Sequence, residues 1–138
     1  MKVWVGYGSE HSANLVIIGK FKTESSASEA KSMLERLATI AREDQDNGLL
    51  VPGGRASKFS EKMLEAITKT PTIPFTYQDP EHLLYEHDIA QNGSNVVITT
   101  EEMSIEAFLK VFIQHEAKVE VYSAHDYASK YGRPTFKG

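Results

Sequence analysis

The sequence predicts an α+β fold: a two-layer sandwich with a mostly antiparallel sheet and its helices on one face, ferredoxin-like in arrangement. Three observations predict it. Short runs rich in Val, Ile and aromatic residues occur at Lys2–Tyr7, Asn14–Lys22, Leu84–Ala90, Asn95–Thr100 and Lys118–Tyr122. Stretches with apolar residues every three or four positions follow the second and fourth of these runs. The links are short, and one of them, Asn92-Gly93, is a strong hairpin signal.

The first two runs are close in sequence, so an antiparallel hairpin is their simplest pairing. In the second, Leu15, Ile17 and Phe21 share one face and Val16, Ile18 and Lys20 the other. Apolar residues on both faces predict a central strand, partly covered on each side. Thr23 then caps a long helix, with Glu24 at the positive end of its dipole. Ala27, Ala30, Leu34, Leu37 and Ala41 form its buried stripe, while Glu29, Lys31, Glu35, Arg36 and Arg42 lie off it. Asn47-Gly48 ends the helix with residues that tolerate a left-handed backbone.

Pro52, Gly53 and Gly54 mark a turn. A shorter helix runs from Ser57 or Ser60 to Thr68, packing Met63, Leu64 and Ile67. Pro71, Pro74 and Pro80 punctuate a segment whose Ile73, Phe75 and Tyr77 make it too apolar for a loose linker, so an ordered crossing is expected. In the second hairpin a two-residue Asn92-Gly93 turn would set Ile89 opposite Val96 and His87 opposite Ile98. A helix starts near the cap Ser104, stapled by Met103 and Phe108, with Ile105, Phe108, Leu109, Phe112 and Ile113 as its apolar face. Val119 and Val121 point inward from the last strand. The parallel between Asn14-Leu15-Val16-Ile17-Ile18 and Asn95-Val96-Val97-Ile98-Thr99, each followed at the same spacing by Thr23 or Ser104, raises an internal ββα repeat.

A chain of 138 residues fits one domain, residues 1–138, with halves of 1–70 and 81–138 joined by the proline-containing segment. The absence of cysteine excludes disulfides, thiol catalysis and cysteine-bound zinc, and suits a reducing, cytoplasmic setting. Nothing at the start reads as a signal peptide. No apolar stretch approaches the roughly 20 residues that span a bilayer, so no membrane role is expected. A net charge of -4 argues against general nucleic-acid binding, which draws on paired phosphates and basic side chains.

Chemistry-bearing residues concentrate in the polar stretch Gly8-Ser9-Glu10-His11-Ser12. A neutral histidine accepts a proton from a nearby hydroxyl and a carboxylate orients the ring, so His11, Glu10 and Ser9 are the catalytic candidates if the protein is an enzyme. Adjacent loop positions rarely reach the geometry of a triad, and a polar hairpin tip is the plainer alternative. Tyr7, Gly8, Ser9, Glu10, His11 and Ser12 are also binding candidates. His82, Glu86, His87 and Asp88 contain metal-ligating types, but their spacing lacks the zinc pattern on a helix and splits them across two faces on a strand; no metal site and no cofactor are expected. Gly53, Gly54 and Arg55 could hold a phosphate, with a plain turn as the alternative. His115 closes the last helix, where a positive charge would suit the dipole. Tyr127, Tyr131 and Arg133 could anchor a partner or fold back over the sheet.

The strand ending in Tyr7-Gly8-Ser9-Glu10-His11-Ser12, followed by Asn14-Leu15-Val16-Ile17-Ile18-Gly19 and Phe21-Lys22, resembles a family of small uncharacterised bacterial proteins. The resemblance covers about the first 25 residues and implies no activity, cofactor or substrate. The first expectation is therefore a non-enzymatic module that binds an unknown protein partner, in the manner of an immunity or antitoxin protein or a host–phage conflict accessory. Homodimerisation through a sheet edge or face would be a companion property. The alternative is a small acid–base enzyme or ligand sensor built on Ser9–Ser12, with His11 at its centre.

Overall fold

The computed structural model describes residues 2–4 as backbone and residues 14–54, 56–102 and 104–123. Its strands are β1 (Lys2–Trp4), β2 (Leu15–Lys20), β3 (His87–Asn92), β4 (Asn95–Thr100) and β5 (Lys118–Ser123). Its helices are α1 (Glu24–Asp46), α2 (Glu61–Ile67), α3 (Asp79–His82) and α4 (Glu106–Gln114). The strands form one sheet in the order β1-β5-β2-β4-β3. Every pairing is antiparallel except that of β1 with β5. The α+β expectation therefore holds.

β2 is central, between β4 and β5. Leu15, Ile17 and Phe21 join the main core, while Val16 and Ile18 are buried on the opposite face beside Val97 and Tyr122. The expected hairpin between the first two strands does not form. Both edges of β2 are occupied by six-residue antiparallel ladders, and β1 instead lies parallel along the far edge of β5. The ββα repeat loses its first hairpin with this correction. The order is instead two interleaved strand–helix–strand units, β2-α1-β3 and β4-α4-β5, each passing over one strand of the other.

Thr23 caps α1 as expected, its hydroxyl oxygen accepting the Ser26 N–H at 3.0 Å. Ala27, Ala30, Leu34, Leu37 and Ala41 are all fully buried. The helix ends at Asn47, and Gly48 takes φ +76°. Ser60 caps α2: its hydroxyl oxygen accepts the Met63 N–H at 3.1 Å while its O–H donates to the buried Asp44 carboxylate at 2.7 Å. This relay ties the start of α2 to the last turn of α1. In α2, Met63, Ala66 and Ile67 are buried, but Leu64 faces outward, contrary to expectation.

The crossing segment is ordered, with Ile73, Phe75 and Leu83 in the core, and it contains the short helix α3, which the sequence pattern does not announce. The second hairpin forms, but its turn is Gly93-Ser94 and Asn92 pairs with Asn95. Ile89 consequently faces Ile98, Gln91 faces Val96 and His87 faces Thr100, two positions from the expected register. Gly93 at φ +63° carries the only left-handed position of the turn, a demand glycine meets without strain. Ser104 does not cap α4; the cap position is Ile105, which makes no side-chain bond. The staple through Met103 lies outside the described residues. The buried face of α4 comprises Ala107, Phe108, Val111 and Phe112, and Ile113 points outward.

One apolar core between the sheet and the helices takes side chains from β2, α1, α2, α4, β4 and β5. Phe112 rests directly on the backbone of β2: a Cβ at Gly19 would lie 2.7 Å from its ring. Gly19 is thus required by close approach, and Phe21 completes the contact edge-on at 5.5 Å. Among the described residues, no helix is long and apolar enough to cross a membrane.

Candidate functional site

Two grooves lined by polar side chains meet where β3 begins. Tyr85 and Glu86 lead into the strand, α1 flanks it, and β4 with its following residues closes the other side. An open groove of about 480 Å³ runs between α1 and β3, lined on the helix by Glu35, Ala38, Thr39 and Arg42 and on the strand by His87 and Ile89, among others. A second groove of about 260 Å³ continues around the end of β3, where Glu86, Asp88, Glu101 and Glu102 meet Asn14 and Thr100. His87, Glu86 and Asp88 line both.

The alternation of β3 explains the arrangement. His87, Ile89 and Gln91 turn toward the helix layer and are half-buried, whereas Asp88, Ala90 and Asn92 are exposed on the other face. The His87 ring packs against Phe108 at 4.9 Å, and its Nδ1 lies 2.6 Å from the Tyr85 carbonyl oxygen. A carbonyl only accepts, so Nδ1 carries the proton and Nε2 is the acceptor of the neutral ring. Thr100 fastens the strand's start by donating to the Glu86 carbonyl at 3.0 Å. Gln91 fastens the other end, bonding the Ser28 hydroxyl at 3.0 Å.

Beneath the groove, Glu81 holds two segments together. One of its carboxylate oxygens accepts the Tyr85 O–H at 2.9 Å and the Gly53 N–H at 3.0 Å. Burial, reinforced by this bond and by the negative charges of Glu81 and Glu102, raises the Tyr85 phenol above its ordinary value. The same contact bears on the phosphate candidate. The Gly53 amide is already given to Glu81 and that of Gly54 to the Val51 carbonyl, so the turn reading fits these glycines. Arg55 lies outside the described residues.

The metal-ligating types of Glu81–Asp88 do not converge. His82 sits in α3 with Nδ1 at 3.4 Å from the Ala107 N–H and near Asp79 and Glu106, while His87 meets Phe108 edge-on. Among the described residues, no group of three or more His, Asp or Glu could hold a metal ion. Asp79 serves the scaffold instead. It is almost fully buried, and its carboxylate takes the Lys110 ammonium at 2.6 Å and the Thr76 N–H at 2.7 Å, pinning α3 to α4. The His115 ring Nδ1 lies 2.9 Å from the Val111 carbonyl, where its N–H helps close the end of α4.

Tyr7, Gly8, Ser9, Glu10, His11, Ser12, Tyr127 and Tyr131 lie outside the described residues, as do Arg133, His125 and Asp126. Asn14, two positions beyond Ser12, is on the rim of the smaller groove. Sequence reasoning does not single out Glu35, Arg42, Glu101 or Glu102 as site residues. The signal for the first two was present in their helical spacing beside the buried stripe, but the groove joins α1 to a strand more than forty positions away, and no local pattern reports that. A family model described as a family of unknown function (DUF6375) matches residues 1–133. No curated protein and no solved structure matches the chain.

Proposed function

The chain belongs to this family of unknown function, and we propose that it is a small non-enzymatic binding module that acts by covering a basic surface of a protein partner. The observation that carries the reading is the meeting of Glu86, Asp88, Glu101 and Glu102 around one groove at the end of the β3–β4 hairpin, with Asn14 on its rim. Four carboxylates held on a rigid hairpin set up a negative field that steers and orients a cationic partner. The polar stretch Ser9–Ser12 ends two positions before Asn14 in sequence, and the reading gives its side chains a share in the contact. An immunity or antitoxin protein, or a host–phage conflict accessory, works by this kind of occlusion, which makes it the class of partner-binding protein we favour. The strand order β5-β2-β4-β3 with its two interleaved crossovers supports a ferredoxin-like kinship for the scaffold.

The test is capture by the full-length chain from a lysate of its native source, identification of the retained protein, and reconstitution with the purified partner. The reading expects a protein that the wild type binds and that the variant Glu86→Gln/Asp88→Asn/Glu101→Gln/Glu102→Gln releases, with affinity falling as salt rises. Reconstituted binding that is equally tight for wild type and variant overturns it.

A further inference from the structure

Among the described residues β3 is the last strand of the sheet, and no described strand pairs with its outer edge. The Phe21 N–H bonds the Ser94 carbonyl at 2.9 Å, which fixes the alternation: in β4, residues 96, 98 and 100 bond toward β2, and residues 95, 97 and 99 bond toward β3. Asp88, Ala90 and Asn92 therefore exchange hydrogen bonds with β4. The N–H and C=O groups of His87, Ile89 and Gln91 point outward. Such an edge is a template for another strand.

The flank of α1 beside this edge says which strand. Glu24, Ser28, Lys31, Glu35, Ala38 and Arg42 follow one another at three- and four-residue steps, so they lie along one line of the helix. Two contacts place that line toward β3: Gln91 bonds Ser28 and the Glu24 carbonyl, and Glu35, Ala38 and Arg42 line the groove with His87 and Ile89. The charges run negative, neutral, positive, negative, neutral, positive. Turned end for end about its middle, at the level of Met33, the line meets itself with every charge opposed: Glu24 meets Arg42 and Lys31 meets Glu35, while Ser28 falls at the level of Ala38, which is buried in the chain's own core.

We propose that a second copy of this chain pairs with it edge to edge, β3 against β3 antiparallel about Ile89 and α1 against α1 about Met33, to form a ten-stranded sheet. Two centres obtained separately coincide. Gln91 bonds Ser28 at one end, and at the other His87 lines a groove with Glu35, Ala38, Thr39 and Arg42, so Ile89 lies near the level of the middle of the α1 line. Pairing about Ile89 sets Asp88 opposite Ala90 and His87 opposite Gln91, with no like charges facing. A shift by one strand residue to centre on Asp88 would set Asp against Asp. Spacing agrees as well. α1 packs on both β3 and β4. With strands about 4.8 Å apart, the two copies of α1 then lie about 10 Å apart across the axis, an ordinary distance for packed helices. Arg42 has no ion-pair partner within the described chain, and the partner copy's helix start supplies one.

The experiment is sedimentation equilibrium on the full chain. Wild type is expected as a dimer. Lys31→Glu alone makes both positions of the cross-pair acidic, and Glu35→Lys alone makes both basic, so each weakens the dimer by about tenfold or more. Mixing the two single variants in equal amounts restores dimers, now of one chain of each kind. The double variant Lys31→Glu/Glu35→Lys, which keeps the pairing within the helix as well, dimerises like wild type. Circular dichroism checks that each is folded. A wild type that stays monomeric up to ~100 μM, or a mixture that associates no better than its components, overturns the proposal. The variant Glu101→Gln/Glu102→Gln, which alters the acidic groove but neither β3 nor α1, should keep this dimer whatever it does to partner binding, so the two readings fail separately.

Discussion

α1 and α4 cover the same face of the same sheet by opposite means. α1 is 23 residues long and presents small side chains, with Ala27, Ala30, Ala38 and Ala41 beside Leu34 and Leu37. It comes close to its neighbours along its length and starts at a side-chain cap. α4 has nine residues and no side-chain cap. It fills its space with Phe108, Val111 and Phe112, and the pair of Lys110 with the buried Asp79 ties it to α3. The long helix relies on many small contacts and a capped start. The short one relies on two rings, a glycine beneath one of them and one buried carboxylate. A helix of nine residues has little stability of its own, so its tertiary contacts decide whether it forms.

The difference predicts where the molecule breaks first. Phe112→Ala should cost about 3–5 kcal/mol in denaturant unfolding, because it empties the space over β2. Gly19→Ala should also destabilise, and its cost should shrink in the Phe112→Ala background, since the added Cβ then has room; additive costs would mean that the ring does not sit on Gly19. Asp79→Ala should cost about 2–3 kcal/mol by leaving Lys110 and the Thr76 amide without their acceptor. On α1 the sensitive direction is reversed. Ala30→Leu should cost about 1–3 kcal/mol through overpacking. The caps separate the helices again: Thr23→Ala should cost about 1 kcal/mol, whereas Ser104→Ala should change stability by less than about 0.5 kcal/mol.

An effect about as large as loss of the Thr23 cap concerns the bond between Tyr85 and Glu81. The Tyr85 phenol, raised by burial and by its bond to Glu81, is favoured in its protonated form by the folded state. Its contribution is complete below the ordinary phenol value of 10.0 and is lost as pH rises through the higher folded value. Tyr85→Phe should lower stability near neutrality by about 1 kcal/mol and flatten the alkaline part of the stability profile, read by thermal unfolding between about pH 8 and 11.

What the sequence made legible follows the range of each interaction. The α1 stripe, its cap at Thr23 and its stop at Asn47-Gly48 depend on neighbours within a turn, and all appear as read. The two faces of β2 were legible from alternation alone. The hairpin is where the sequence puts it but two positions out of register, because Gly93-Ser94 turns the chain with glycine at the first central position, and Asn92 stays in the strand. The pairing of β1 was not legible: its partner is more than a hundred residues away, and a short link favours the wrong neighbour. The same holds for the groove, assembled from α1 and the start of β3. On α4, Ile113 reads as core by residue type, yet Val111 takes the buried position.

Amide hydrogen exchange along β3, followed against protein concentration, tests most directly the claim that this strand is a half-used edge. The Asp88 and Ala90 amides should be protected at every concentration, and those of His87, Ile89 and Gln91 should become protected only where the dimer forms. Exchange at His87, Ile89 and Gln91 that stays fast in concentrated protein, or exposure of Asp88 and Ala90, would contradict the account.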